Sequence, residues 1–265
     1  MLRLAGISKH FQGLQVLRGV DVAVPPGCIF GLIGPNGAGK TTVFNLVTGL
    51  LRPSAGDIRF DGESLVGQKP HVIARRGVAR TFQNIRIFRE MTLLENVIVG
   101  MHRQLAYTPL DVLFGLARYR AVERKARDRA RELLSWLKLD RRADELADNL
   151  SYGDQRKLEL ARALALEPKL LLLDEPVAGM NATEKTALMD EVRNINARGY
   201  TILMIEHDMR FVMELCERIA VLNFGRIIAE GRPEAIKTDL QVIEAYLGRD
   251  GTDAPSEPDA DELHS

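Results

Sequence analysis

Gly34-Pro35-Asn36-Gly37-Ala38-Gly39-Lys40-Thr41-Thr42 is the stretch that decides the reading of this chain. Its spacing is G-x-x-x-x-G-K-[ST], a loop that cradles a nucleotide triphosphate. A triphosphate is a dense cluster of negative oxygens. Holding it in water takes several donors that converge with no side chains in the way. Three glycines let the backbone curl so that its N–H groups point inward. Helical character over residues 41–50 adds the positive end of a helix dipole. Gly34, Pro35, Asn36, Gly37, Ala38, Gly39 and Thr42 build the cradle. Lys40 reaches the β- and γ-phosphates, and the Thr41 hydroxyl is placed to hold Mg²⁺.

The flanks support this pattern. Residues 28–33 (CIFGLI) read as a short buried strand that ends at the loop. Val43, Phe44, Leu46, Val47 and Leu50 fall on one face of the helix that follows. A second strong element is Leu170-Leu171-Leu172-Leu173-Asp174-Glu175-Pro176. Its apolar run predicts a parallel strand buried on both faces. Two carboxylates then emerge where open α/β sheets bind ligands. Side chains alternate along a strand, so Asp174 and Glu175 are expected to point different ways. Asp174 suits Mg²⁺, and Glu175 suits orienting or deprotonating a water.

The bulk numbers limit the alternatives. The chain has 265 residues, with 36 Lys+Arg balanced by 36 Asp+Glu, so no global charge points to nucleic acid. The two cysteines, Cys28 and Cys216, lie in apolar segments and read as buried free thiols. The start MLRLAGISKH has no apolar secretory core. The uncharged run 22–39 is broken by prolines and glycines, so no membrane span is expected.

Elsewhere the signals are weaker taken alone. Phe11 lies on the link between two N-terminal strands, where it either stacks on a base or fills a hairpin core. Residues 78–82 read as a strand that delivers Gln83 to its end, as a metal and water contact or as a surface amide. Residues 91–103 and 109–139 are helical in pattern. The basic run 118–132 reads as a solvated helix face with pairs such as Arg124–Asp128. Ser151 and Gly153 open a further helix, either as a plain cap or as a second phosphate site. Residues 201–206 read as a buried strand delivering His207 to the sheet edge. Residues 249–265, acidic and poor in apolar groups, read as a disordered tail.

Together these motifs resemble the ATPase subunit of ABC transporters, over residues 2–248. GPNGAGKT, TFQ at 81–83, LSYGDQ at 150–155, LLLLDEP at 170–176, AGMN at 178–181 and EHD at 206–208 occur in family order. The resemblance implies an α/β P-loop core with a mainly parallel sheet, an N-terminal antiparallel β subdomain and a helical subdomain inserted at about 84–165. It implies ATP and Mg²⁺ as ligands, with Phe11 on the adenine and Gln83 touching both metal and water. It also places His207 on the γ-phosphate, and Ser151 and Gly153 on the γ-phosphate of a second subunit.

KHFQGLQVLRGV, ARTFQNIRIFREMTLLENV and the late EAYLG are similar to branched-chain amino acid importer ATPases of the LivG type. That implies a head-to-tail dimer with itself or a paralogue, and two transmembrane permeases entering a groove at 84–91. A substrate-binding protein would act indirectly, and the location would be peripheral, on the cytoplasmic membrane face. Three positions depart from the family. Tyr152 and Asp154 stand in LSYGDQ where the family has LSGGQ, with Asp154 expected to point away from phosphate. Asn181 stands where many relatives carry Asp, which weakens any inference about cross-dimer communication. Competing readings are a soluble ABC ATPase working on ribosomes or DNA, urea, amide or lipid as cargo, and another P-loop enzyme. A GTPase would need N-K-x-D, which the chain lacks.

Overall fold

The computed structural model describes residues 1–83, 85–101 and 117–247. A central sheet carries six strands in the order β10-β9-β3-β8-β7-β6. These are β3 (Ile29–Ile33), β6 (Val78–Arg80), β7 (Leu170–Asp174), β8 (Thr201–Ile205), β9 (Arg218–Asn223) and β10 (Arg226–Gly231). Strands β9, β3, β8, β7 and β6 run parallel, and β10 closes one edge antiparallel. Every residue of β3, β7 and β8 is buried, as continuous apolar runs in a covered parallel sheet require. The period of two then sorts side chains between two cores. Leu171 and Leu173 enter the core shared with the helical region, while Leu170 and Leu172 enter the other.

The second core is capped by an antiparallel sheet, β2-β1-β4-β5. It comprises β1 (Leu2–Phe11), β2 (Leu14–Val24), β4 (Ala55–Phe60) and β5 (Glu63–Ser64). Phe11 is thus the last residue of β1, paired with Leu14, rather than part of the link. Helix α1 (Lys40–Val47) is sandwiched between the two sheets through Val43, Phe44, Leu46 and Val47. It stops short of the expected residue 50, because Gly49 turns left-handed at φ 73°. Helix α2 (Pro70–Arg75) leads into β6.

Between β6 and β7 lie α3 (Leu93–Gly100), α4 (Ala117–Trp136) and α5 (Tyr152–Leu164). Helix α3 begins two residues later than expected, at a capping box. The Thr92 hydroxyl accepts from the Glu95 amide at 3.2 Å, and Glu95 accepts from the Thr92 amide at 2.8 Å. Residues 102–103 and 109–116 of the expected helices lie outside the described residues. Among the described residues the ion pairs within α4 are Glu123–Arg127 and Arg129–Glu132, the first one residue before the expected Arg124–Asp128. The chain closes with α6 (Ala182–Ala197), α7 (Met209–Leu215), α8 (Pro233–Thr238) and α9 (Leu240–Leu247). The acidic stretch 249–265 also lies outside the described residues. No described helix is long and apolar enough to cross a membrane.

Candidate active site

The phosphate loop joins β3 to α1, and its glycines are required by position. Gly34 has φ 149°, and a Cβ there would sit 1.9 Å from the Leu222 carbonyl oxygen of β9. Gly39 caps α1 at φ 108°, where a Cβ would lie 2.8 Å from Leu17 of β2. Lys40 is only 5% exposed, and its Nζ donates to the carbonyls of Gly34 at 2.6 Å and Pro35 at 3.0 Å. Its ammonium is therefore held over the loop. The hairpin that carries Phe11 runs beside the same loop, since Val16 of β2 also borders Gly39. Phe11 is 39% exposed with the Lys9 ammonium 4.9 Å from its ring centre, so it is not a core residue.

Three residues from three parts of the sequence converge opposite the loop. Glu175 Oε1 is 2.6 Å from His207 Nε2, and Glu175 Oε2 accepts from Gln83 Nε2 at 2.8 Å. With Gly34, Pro35 and Asn36 they line one cleft of about 500 Å³. The separation of Asp174 from Glu175 is not made by strand alternation. Strand β7 ends at Asp174, and Glu175 takes a left-handed backbone at φ 49°. Such a conformation costs roughly 1–3 kcal/mol outside glycine and persists only when its surroundings over-determine it. Here the Glu175 amide donates to the Ile205 carbonyl at 2.9 Å, and its carbonyl accepts from Ala178 at 3.2 Å. Glu206 fixes the neighbouring turn: its carboxylate accepts from the amides of Val177, His207 and Asp208.

Asp174 is buried and held by a residue that the sequence did not single out. Arg80 donates from Nη2 to Asp174 Oδ2 at 2.6 Å and from Nη1 to Asn45 Oδ1 at 2.7 Å. The only sequence signal for it was its place on the strand that leads to Gln83. A second unforeseen element is α9, whose Ala245 and Tyr246 complete the cleft. Burial pushes the Tyr246 phenol up to about 12, against the pull of the Gly34 backbone.

Ser151 and Gly153 do not join this cleft. Ser151 caps α5, accepting from the Asp154 amide at 3.2 Å. Asp154 pairs with Arg142, its Oδ2 2.8 Å from Arg142 Nη1. Asn181 forms a capping box with Glu184, both bonds at 3.0 Å. Cys28 and Cys216 are buried and free, and burial raises both thiols.

Among the described residues no group of three or more His, Cys, Asp or Glu forms a ready metal cage. The Thr41 hydroxyl, the Asp174 carboxylate and the Gln83 amide oxygen are all hard oxygen donors, a set that suits Mg²⁺ arriving with a phosphate chain.

A phosphate loop between a central strand and its helix, facing a carboxylate from the next parallel strands, defines a P-loop nucleotide hydrolase with a helical insertion. The chain belongs to the ABC transporter family, whose model matches residues 17–178. A model described as branched-chain amino acid ATP-binding cassette transporter matches residues 226–252, a range that includes Tyr246. The chain is 44% identical over 249 residues to the high-affinity branched-chain amino acid transport ATP-binding protein BraF of Pseudomonas aeruginosa, covering 94% of this chain and 98% of BraF. It is equally similar, with the same coverage, to LivG of Escherichia coli. A solved ATP-binding cassette of an ABC transporter in its ADP conformation superposes with TM-score 0.80 at 34% identity, covering 94% of this chain and 98% of that one.

Proposed function

We propose that this chain is the ATP-hydrolysing subunit of an importer for branched-chain or related amino acids. The observation that carries the hydrolytic reading is the Glu175 carboxylate, held between His207 and Gln83 across a cleft from the phosphate loop. In this reading Glu175 takes a proton from a water. The water oxygen forms a bond to the γ-phosphorus as the bond to the β–γ bridging oxygen breaks, and ADP and phosphate leave. His207 orients Glu175 and meets the γ-phosphate, while Lys40 and the loop amides neutralise the phosphate oxygens. Thr41, Asp174 and Gln83 would hold Mg²⁺, which would neutralise phosphate charge when bound. Phe11, exposed at the hairpin end, stacks on the adenine.

The position of Ser151 and Gly153 outside the cleft supports head-to-tail pairing. In that arrangement they face the γ-phosphate of a second cassette, and ATP bridges the two until hydrolysis removes the link. Two permease subunits bind at the segment 84–91, with the chain on the cytoplasmic membrane face. The similarity to BraF and LivG along nearly the whole chain favours branched-chain cargo.

The test is Glu175→Gln in the purified full chain. Nucleotide binding, followed with a fluorescent ATP analogue, is expected to survive while phosphate release falls by at least about a hundredfold. Unchanged turnover would remove Glu175 from this role.

A further inference from the structure

The helix that starts at Ser151 carries a buried ion pair that the hydrolytic reading leaves unused. Arg156 and Glu159 of α5 are each 5% exposed, with Nη1 3.3 Å from Oε2. Both hydrogen-bond the backbone around Gln83. Glu159 Oε1 accepts from the amides of Phe82 at 3.2 Å and Arg86 at 3.4 Å. Arg156 Nη1 donates to the Phe82 carbonyl at 2.6 Å, and Nη2 donates to the Gln83 carbonyl. Burying two ions costs several kcal/mol each and is offset only where geometry and further hydrogen bonds are good. A surface pair would anchor α5 without that cost. What this pair adds is a fixed backbone at 82, 83 and 86. Burial raises the Glu159 carboxyl above its ordinary value, opposed by the Phe82 amide and by Arg156.

Tyr152, one of the two departures from the family signature, joins this arrangement. Its hydroxyl accepts from Arg156 Nη2 at 3.1 Å, and the guanidinium lies 5.5 Å from its ring centre. The ring also lies against Gly179, where a Cβ would come 3.2 Å from Tyr152 Cε1. One aromatic ring therefore touches both the clamp on the Gln83 loop and the turn that follows Glu175.

We propose that Arg156 and Glu159 are positioning residues for Gln83, and that Tyr152 fixes their guanidinium end. The inference rests on the reading of Gln83 and Glu175 as parts of the hydrolytic site. It deepens that reading by making the cassette's own signature helix the support on which Gln83 stands.

The test uses the full chain and two readouts. In Arg156→Met the kcat for ATP is expected to fall about tenfold with nucleotide affinity within about twofold, since the cradle is untouched. In a Gln83→Ala background the same substitution is expected to cost nothing further, because it acts through Gln83. Independently of activity, amide exchange of peptides covering residues 78–90 should accelerate in Arg156→Met and Glu159→Gln while α6 keeps its protection. An equal loss of kcat with and without Gln83, or unchanged exchange at 78–90, overturns the proposal. Should Arg156→Met fail to fold, Tyr152→Phe keeps the ion pair and loses one bond. It is then expected to speed exchange at 78–90 and lower kcat about twofold, and no change in either overturns the inference. Wild-type turnover that survives Glu175→Gln would instead refute the hydrolytic reading, and the exchange measurement would still judge the clamp.

Discussion

Arg80→Met tests the support of the buried carboxylate at the end of β7. In the wild type the Arg80 and Asp174 side chains are 7% and 4% exposed, and their 2.6 Å bond is, among the described residues, Arg80's one link to a carboxylate. The guanidinium also bonds Asn45 Oδ1 of α1 and lies 5.5 Å and 5.3 Å from the ring centres of Phe44 and Phe82. Methionine keeps most of the apolar contact and removes the fork. Breaking a buried pair from one side costs about 3–5 kcal/mol, because the remaining charge is stranded. Against a typical domain stability of 5–15 kcal/mol that is a large fraction. Arg80→Lys keeps the charge but cannot bridge two acceptors with a planar fork. Its loss should be smaller, about 1.5–3 kcal/mol, the worth of one charge-assisted hydrogen bond.

The assay is urea unfolding followed by circular dichroism, in chelator and again with Mg²⁺ and a non-hydrolysable nucleotide. The ligated form should recover part of the Arg80→Met loss, since a cation near Asp174 replaces the missing charge. A loss below about 1 kcal/mol for Arg80→Met, or one equal to that of Arg80→Lys, would refute this account of how Asp174 is held.

Two further outcomes follow from the same geometry. Gly34→Ala forces a methyl group against the Leu222 carbonyl at 1.9 Å, so the phosphate loop must shift; nucleotide affinity measured by fluorescence titration should fall at least about tenfold while β-sheet content is kept. Lys185 bonds Asp208 at 2.6 Å, and this bond, followed by the Phe211 amide, holds the Asp208 carboxyl below its ordinary value. A depressed carboxyl contributes stability that is present above its unfolded value, about 3.9, and is lost as pH falls through the folded one. Lys185→Met should therefore flatten the fall in melting temperature below about pH 4, and an unchanged acid slope would contradict it.

The sequence by itself determined the order of the elements and the chemistry of the loop. Local spacing carries both: Gly34, Gly39, Lys40 and Thr41 lie within eight positions, and the runs at 29–33, 170–173 and 202–205 carry no polar side chain because a covered parallel sheet demands it. Gln83, Glu175 and His207 were legible only as strand ends whose motifs matched a family. Their convergence is a property of strand order, which places β8 beside β7 and β7 beside β6.

What only the tertiary structure decided are the pairings across that order. Arg80 meets Asp174 across 94 positions, and Arg156 meets Phe82 across 74. No periodicity in a single chain encodes such distances. A buried charge looks like any surface charge until the fold removes its water, and only then does its partner become identifiable. The left-handed turn at Glu175 was hidden for the same reason. A glutamate carries no local preference for that conformation, and the contacts that hold it come from β8 and from the turn at Ala178.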